Sequence, residues 1–230
     1  MNKCAILLAL CCILAPVSAH AGLILNLGGN AASLVSFNGA DDTFEWYNYY
    51  AQQDFIVVSV VDLNDPSYTS GSAVGLQGDL DGTFTIGTIS TDGTTESAPV
   101  SGLGTFSIVD SLGFVLTADL SWVSISSNGS TAGTNLSGDV NLANFQYAGS
   151  NPDLVTVAGH KGGVISSSFQ FWSPTSLTDL TADNYQANIS QWSASVATAP
   201  EPGTLFLAGL GLAGLGSMAA RRRSKKSSAA

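Results

Sequence analysis

The chain has 230 residues and a formal net charge of −10, because 17 Asp and Glu residues stand against 7 Lys and Arg residues. A negative field of this size repels nucleic acid, so no nucleic-acid partner is expected. Charged residues make up only 10% of the chain, compared with roughly 25% in typical globular proteins. The polar surface must therefore come from Ser, Thr, Asn and Gln, which is typical of an extracellular β protein.

The first residues have the layout of a secretory signal peptide. Lys3 supplies a positive charge, residues 4–17 are almost entirely apolar, and Ala19–Ala21 offers the small residues at which signal peptidase cuts. The apolar stretch is short for a membrane span, and a permanent N-terminal anchor is the alternative. We therefore predict a signal peptide over residues 1–21 and export through the inner membrane, with the mature chain beginning at Gly22.

Every cysteine of the chain, Cys4, Cys11 and Cys12, lies inside the predicted signal peptide. The exported body then has no disulfide, no thiol nucleophile and no thiolate metal site. It must be held together by its own hydrophobic core. Residues 22–198 are enough for one domain with a core of ordinary size.

Five aromatic residues fall within the seven residues from Phe44 to Tyr50. Asp42 and Glu45 have nearly the spacing of a capping box, which predicts a short helix at this point. Exposed aromatic rings can stack on the apolar faces of sugars, whereas buried rings would only pack in a core. The residues that we consider for a sugar-binding platform are Trp46, Tyr47 and Tyr49.

Acidic residues at alternating positions near predicted turns are candidate ligands for calcium. Asp79 and Asp81 are separated by one residue, and Asp62 and Asp65 lie in a second stretch of this kind. Hard cations bind clustered oxygen ligands, although neither stretch completes an EF-hand loop. We therefore consider a Ca²⁺ site at Asp79 and Asp81, with a solvated turn as the alternative. No other cofactor is expected.

Most of the body alternates apolar and polar residues with a period of two, which predicts β-strands. After Leu142 the alternation changes phase to Phe145 and Tyr147, which predicts a β-bulge near Ala143. The β-branched run Phe55–Val61 is a candidate for a strand buried on both faces. The clearest alternating runs lie at residues 114–123, 135–142, 165–171 and 192–196.

Dipeptides that readily adopt positive φ angles separate these runs, as expected for tight turns. They are Asn38-Gly39, Asp81-Gly82, Asp92-Gly93 and Asn128-Gly129. Many short strands separated in this way indicate an all-β fold with antiparallel pairing. We predict an antiparallel β-sandwich, jelly-roll or barrel-like, over residues 22–198 with about eight to ten strands.

The body contains few side chains that could carry catalysis. His160 and Lys161 are its only histidine and lysine, and it has neither arginine nor cysteine. No Gly-x-Ser-x-Gly elbow accompanies His160, and no spacing selects a pair of carboxylates for glycoside hydrolysis. We therefore predict that the protein is not an enzyme, with a polysaccharide hydrolase as an alternative.

The C-terminal segment differs from the body because it is apolar and then basic. Each proline restricts the residue before it, so the tripeptide Pro200, Glu201 and Pro202 is held extended. Residues 204–220 carry no charge and predict a transmembrane helix at the short end of the usual range. A positive cluster stays on the cytoplasmic side and orients this helix; it consists of Arg221, Arg222 and Arg223.

The order of these three parts resembles the PEP-CTERM sorting signal, and the resemblance covers residues 199–226. In Gram-negative bacteria such signals mark exported proteins that are held transiently in the inner membrane and processed by exosortase, a membrane-embedded enzyme similar to cysteine transpeptidases. The resemblance implies recognition at Pro200, Glu201 and Pro202, followed by release or transfer to the cell surface. It says little about residues 22–198, because such tails follow many unrelated domains.

The function that we expect is that of an exported, exosortase-processed protein of the cell surface or extracellular matrix. We expect the domain to be non-enzymatic and to associate with exopolysaccharide, since hosts with this sorting system often produce it. A carbohydrate-binding module, with or without calcium, is the alternative.

Overall fold

The structure is a computed structural model, and residues 21–199 form one compact unit in it. The residues that it describes are 22–29, 33–48, 53–63, 65, 68, 71–127, 135–171, 175–182 and 186–198. The strands are β1 (Leu23–Gly29), β2 (Ser33–Asn38), β3 (Thr43–Asn48), β4 (Phe55–Asp62), β5 (Gln77–Asp81), β6 (Thr83–Ile86), β7 (Ser90–Asp92), β8 (Thr95–Ser101), β9 (Leu103–Val109), β10 (Val115–Ser127), β11 (Asn135–Gln146), β12 (Gly162–Gln170) and β13 (Gln186–Thr198). The helices are α1 (Pro152–Ala158) and α2 (Leu177–Leu180).

All pairs of strands are antiparallel, and the sheet closes on itself. Strand β13 makes the closure, because it pairs with β12 along one edge and with β1 and β2 along the other. Strands β1 and β2 therefore lie end to end and fill one strand position of the closed sheet, which we call a line. In the same way β3 and β4 share a line, as do β5 with β6 and β8 with β9. Together with the four continuous strands β10–β13, these make eight lines, each paired with the next in sequence.

Two glycines let a line of the sheet bend without ending. Gly82 separates β5 from β6 with φ 143°, and Gly102 separates β8 from β9 with φ 136°. Residues other than glycine rarely adopt such φ angles, and a Cβ at Gly82 would also fall 2.7 Å from the ring of Phe84. The predicted tight turn at Asp81-Gly82 is therefore wrong, because the chain continues in the same direction there. By contrast, Asp92-Gly93 does form the turn between β7 and β8, with φ 62° at Gly93.

The all-β, antiparallel class predicted from the sequence is confirmed. Each described line pairs with the next in sequence, so the sheet has the closed, barrel-like arrangement, and its described strands show no Greek-key crossover of the jelly-roll kind. The described residues contain thirteen strands instead of about eight to ten. The larger number arises because four of the eight lines are each interrupted once, and β7 adds a short strand beside β8.

Two predictions about local structure are wrong. The predicted helix that begins near Asp42 is absent, because Thr43–Asn48 form β3, paired with β2 and β6. Here Phe44 and Trp46 alternate towards the interior, so cross-strand packing overrides the capping-box spacing. Strand β4 is buried on only one face: Val57 is fully buried, whereas Val58 is 54% exposed.

The predicted β-bulge near Ala143 is confirmed. The register between β10 and β11 shifts between Asp119, opposite Ala143, and Thr117, opposite Gln146. Asn144 takes a positive φ of 55° at this point. The bulge is the reason that the inward-facing position moves from Leu142 to Phe145.

Aromatic rings fill the interior of the closed sheet. The centroid of the Phe44 ring lies 4.9 Å from that of Trp122 and 5.5 Å from that of Phe84. Further along the interior, Phe55 stacks on Phe106 at 5.6 Å. Each such ring contributes roughly 1.5–3 kcal/mol by burial, so a chain without disulfides obtains its stability from this core.

Buried carboxylates fasten the connections at one end of the sheet. Asp153, in the first turn of α1, accepts hydrogen bonds from the Ala73 backbone N–H at 2.8 Å and from the Tyr68 hydroxyl at 3.3 Å. Asp110 accepts from the Tyr147 hydroxyl at 2.6 Å, and this bond lowers the pKa of Asp110. Side chains thus replace the backbone pairing that the loops between strands lack.

A prediction follows from Gly138 on β11, which lies against the ring of Trp122. A Cβ at this position would fall 2.0 Å from Cζ3 of Trp122, so Gly138→Ala must displace the indole. We expect a loss of roughly 1–3 kcal/mol in the free energy of unfolding, measured by urea denaturation with tryptophan fluorescence. Asn141→Ala, on the exposed face of the same strand, is the control and should change it by less than about 0.5 kcal/mol. Equal losses for the two variants would contradict this account.

Candidate functional site

The predicted sorting residues lie beyond the part of the chain that the structure describes. This holds for Pro200, Glu201, Pro202, the helix at 204–220 and the Arg221–Arg223 cluster, and also for the signal peptide at 1–21. Within the described residues, no helix is long and apolar enough to cross a membrane. The signal peptide and the transmembrane helix therefore stay predictions.

The structure does describe the point from which the sorting segment leaves. Thr198, the last residue of β13, is opposite Gly163 of β12 and is only 4% exposed. Its Oγ1 lies 3.5 Å from the carbonyl oxygen of Leu23, to which it donates a hydrogen bond. Gly22 packs so closely that a Cβ there would fall 2.0 Å from the same Oγ1. The folded domain thus extends to within two residues of Pro200.

The family comparison identifies this segment. Residues 198–223 match the PEP-CTERM protein-sorting motif. The chain carries a PEP-CTERM sorting motif. The motif is a signal recognised by exosortase, and it implies export and C-terminal membrane anchoring before processing.

The PEP-CTERM match begins at Thr198, which is also where β13 ends. The matched segment therefore overlaps the last residue of the closing strand. Comparison with the curated proteins and with the solved structures finds no match. The role of the domain must accordingly be argued from its own geometry.

Of the three aromatic residues proposed for sugar binding, the structure describes the side chain of Trp46. Trp46 packs inside the closed sheet, with its ring centroid 5.7 Å from Phe84, 5.8 Å from Trp122 and 5.9 Å from Trp192. Its ring faces thus contact protein and do not form an outward platform. The side chain of Tyr47 and all of Tyr49 lie outside the described residues.

Among the described residues, several buried polar atoms in this aromatic region have no hydrogen-bond partner. The indole N–H of Trp192 donates to Oγ of Ser33 at 2.9 Å, so one of the three tryptophans here is satisfied. An unpaired buried donor costs about 1–3 kcal/mol, and no pattern in the sequence indicated this cost. The unpaired atoms are Nε1 of Trp46 and Trp122 and Oγ of Ser127 and Ser190.

The two carboxylates proposed for calcium lie on β5, and the structure adds a third that the sequence did not suggest. The backbone N–H of Asp54 donates to Oδ1 of Asp79 at 3.2 Å, while Oδ2 of Asp54 accepts from the Leu80 N–H at 3.0 Å. Asp81 also lies near enough for its charge to act on Asp54. Even so, the described part of the chain holds no group of three or more His, Cys, Asp or Glu side chains placed to bind a metal ion.

Burial dominates the electrostatics of this acidic group. The pKa of Asp54 is raised to about 6, chiefly because burial disfavours its carboxylate. The hydrogen bond from Leu80 lowers the pKa in part, and the negative charges of Asp79 and Asp81 raise it further. A cation bound here would reverse these last two effects.

The outer surface of the sheet carries a polar face that the sequence showed only as alternating serines. A first row crosses five strands in register and holds Ser59, Asn26, Ser195, Ser166 and Asp139. A second row beside it holds Ser193, Ser168, Ser137 and Ser126. We call these nine residues the polar face, and one carboxylate is its only charge.

Side chains of the polar face hydrogen-bond to one another across the strands. Ser195 donates to Asn26 at 2.6 Å, and Asn26 donates to Ser59 at 2.8 Å. In the second row, the hydroxyls of Ser126 and Ser137 lie 2.9 Å apart. A shallow groove of about 340 Å³ runs over the part of the face formed by β1, β12 and β13. The result is a surface of ordered hydroxyl and amide groups.

His160 is placed unlike a catalytic base. It is 7% exposed, and its Nδ1 has no hydrogen-bond partner among the described residues. A base in a hydrolytic triad needs a carboxylate or carbonyl at that nitrogen to orient it. The structure therefore brings no such group to His160 within its described residues.

The raised pKa of Asp54 gives a prediction about stability and pH. The unfolded carboxyl ionises near pH 3.9 and the folded one near pH 6, so the folded state binds more protons between these values and stability falls as the pH rises through them. Asp54→Asn should therefore raise the free energy of unfolding by about 1–2 kcal/mol at pH 7.5, allowing for partial solvation of the site, and should change it little at pH 4.

Urea denaturation at both pH values measures this effect. Asp81→Asn, a change at an exposed carboxylate of the same group, is the matched control and should show a smaller gain at pH 7.5. A gain from Asp54→Asn that is the same at pH 4 and pH 7.5 would contradict the burial of a charged group.

Proposed function

We propose that the domain is a non-enzymatic component of the cell surface or extracellular matrix that associates with exopolysaccharide through its polar face. The observation that carries the proposal is the pair of hydroxyl and amide rows on one wall of a closed sheet. The sorting motif at residues 198–223 supports a location of this wall outside the cell. Both features belong to the same strand, since Ser193 and Ser195 lie on β13.

The chemistry of the polar face suits a hydroxyl-rich polymer. Neighbouring strands lie about 4.8 Å apart, so the serines present a regular array of groups that both donate and accept hydrogen bonds. Ordering a serine on binding costs little side-chain entropy compared with a long charged side chain. Each contact is weak, and a polymer that spans several strands would add many of them.

The charge of the polar face also supports a polysaccharide partner. The region from Gly22 to Ala199 has a formal charge of −15, from sixteen acidic residues and one lysine. Only Asp139 brings a negative charge into the nine residues of the face. An anionic polymer is thus repelled less by this wall than by the body as a whole.

Binding to polysaccharide can be tested with charges placed on the polar face. We expect Ser166→Glu/Ser168→Glu to weaken co-sedimentation with the host's exopolysaccharide by about tenfold, or ~1.4 kcal/mol. The polymer would have to displace water from the two new carboxylates, and these would repel any anionic groups of the polymer. The matched control is Thr85→Glu/Thr105→Glu, which adds the same charge at exposed outward positions of β6 and β9. Equal weakening by both pairs, or no binding by the unaltered protein, would contradict the proposal.

A calcium-assisted carbohydrate-binding module is the second candidate. The observation that favours it is the hydrogen bond from the Asp54 backbone N–H to Asp79, together with the effect of the Asp79 and Asp81 charges on Asp54. Calcium commonly binds several carboxylate and carbonyl oxygens, and the backbone of this region could supply the remainder.

The calcium proposal predicts a thermal shift that depends on pH. Millimolar Ca²⁺ should raise the melting temperature by several degrees relative to chelator, and by more at pH 7.5 than at pH 5, because ligand carboxylates must be ionised. Asp79→Asn should abolish the shift, whereas Asp92→Asn, in the turn between β7 and β8, should leave it intact. Identical melting curves with calcium and with chelator would end this candidate without affecting the polar face.

A further inference from the structure

One end of the closed sheet is distinguished by the exit of the sorting segment. Gly22 and Thr198 are neighbours at this end. Because adjacent strands are antiparallel, three connections lie at the same end: β4–β5 at 63–76, β9–β10 at 110–114 and β11–β12 at 147–161. We call Gly22, Thr198 and these three connections the tether end.

Exposed apolar side chains concentrate at the tether end. Among the described residues, ten large hydrophobic side chains are exposed, and Leu112 is one of the most exposed at 72%. Seven of the ten lie in the three connections or within the first three residues of the strand that follows one; they are Leu63, Val74, Leu112, Phe114, Val115, Val155 and Val164. Apolar surface gathered in this way marks a site of contact with a membrane or a partner.

A groove of about 550 Å³ opens in the same region. It lies between the start of β10 and the end of α1, and Val115, Phe145, Tyr147 and Ala158 contribute to its lining. Phe145 reaches the tether end because of the bulge at Ala143. Thr117 and Gln146 also line the groove, so it offers both apolar and polar groups beside the exposed turn.

The body's single cation lies beside this apolar surface. Lys161 is the only Lys or Arg between Gly22 and Ala220, and it is exposed. Its position is fixed by pairing, because the next residue, Gly162, is opposite Ala143, and Gly163 is opposite Thr198. A lone positive charge on an acidic body is thus found where the membrane-anchored segment begins.

Three acidic residues belong to the tether end, and a fourth, Asp62, is the last residue of the strand that leads into it; two of the four are turned inward. Asp110 and Asp153 are 6% and 5% exposed and accept hydrogen bonds from protein donors. Asp62 and Asp65 stand beside each other at the end of β4, joined by an isolated bridge. Negative charge at this end is therefore partly withdrawn from solvent, while Lys161 is not.

The length of the tether brings this surface close to the bilayer. Five residues, 199–203, separate Thr198 from the predicted helix at 204–220, and they span at most about 18 Å when fully extended. The polar layer of a bilayer leaflet is itself roughly 5–7 Å thick. The remaining gap is comparable with the screening length of about 8–10 Å in physiological salt.

We propose that, while the protein is anchored, its tether end rests on the outer surface of the inner membrane, with Lys161 at the lipid phosphates and the Leu112–Phe114 turn at the headgroup boundary. This inference rests on the anchoring that the sorting motif implies and is independent of any polysaccharide. The body's overall negative charge makes free association unfavourable, so the tether supplies the local concentration. Contact then keeps Thr198, two residues before Pro200, near the membrane in which exosortase lies.

The test uses the chain from Gly22 to its C-terminus in vesicles of phosphatidylcholine and phosphatidylglycerol that carry a headgroup-linked nitroxide quencher. This chain has no cysteine, so single cysteines can be labelled with a fluorophore at chosen points. Ser111→Cys reports on the exposed turn at the tether end, and Thr94→Cys reports on the turn between β7 and β8 at the opposite end. We expect quenching to be several-fold stronger at position 111 than at position 94.

Two variants separate surface contact from mere proximity. Leu112→Ser/Lys161→Glu should reduce the quenching at position 111 to nearly the level at position 94. The matched control, Leu103→Ser/Val123→Ser, removes exposed apolar side chains from the wall of the sheet and should leave the difference intact. A long Gly/Ser insertion after Thr198 should also lower the quenching at position 111, because a longer tether lowers the effective concentration of the tether end at the vesicle surface.

Each outcome decides between the claims. Equal quenching at positions 111 and 94 in vesicle-anchored protein would overturn the inference while leaving the sorting function standing. Failure of the chain to float with the vesicles would instead contradict the anchoring on which both depend. Protection of position 111 only when exosortase is added would show that this end contacts the enzyme and would refute a lipid contact.

Discussion

The pairing of β13 with β12 on one side and with β1 and β2 on the other closes the sheet, and the remaining structure depends on it. Without this closure, β1 and β13 would each present an unpaired edge, which invites association with other chains. Closure also creates the enclosed interior that Phe44, Trp122 and the other rings fill. A domain without disulfides is thereby held by one continuous core, and its two termini are brought together.

The same closure gives the wall and the tether end of the domain surfaces of different chemistry. The wall formed by β1, β4 and β10–β13 carries hydroxyl and amide rows, which suit a hydrated polymer. The tether end carries exposed apolar side chains and Lys161, which suit a bilayer surface. The sorting motif begins at the last residue of β13, so the proposed membrane contact and the proposed polymer contact use different surfaces of the domain.

Particular elements show how far the sequence could be interpreted. The bulge near Ala143 was predictable, because a change of phase in alternation has one common cause in a strand. The helix near Asp42 was predicted wrongly, because capping spacing is a weak local preference and Phe44 gains more from packing inside the sheet. Asp54 was missed as a partner of Asp79, since 25 residues separate them and only the pairing of β4 with β5 brings them together.

By itself, the sequence determined the all-β class, the absence of cysteine from residues 22–198 and the sorting motif, because each is recorded in composition, periodicity or a short contiguous pattern. Only the tertiary structure decided the closure of the sheet, the register that aligns Asn26 with Ser195 and Ser166, and the inward position of Trp46. These features depend on which strands become neighbours, and that choice is made by the packing of residues distant in sequence. The position of Lys161 beside Thr198 is of the same kind, since pairing between β12 and β13 alone places them together.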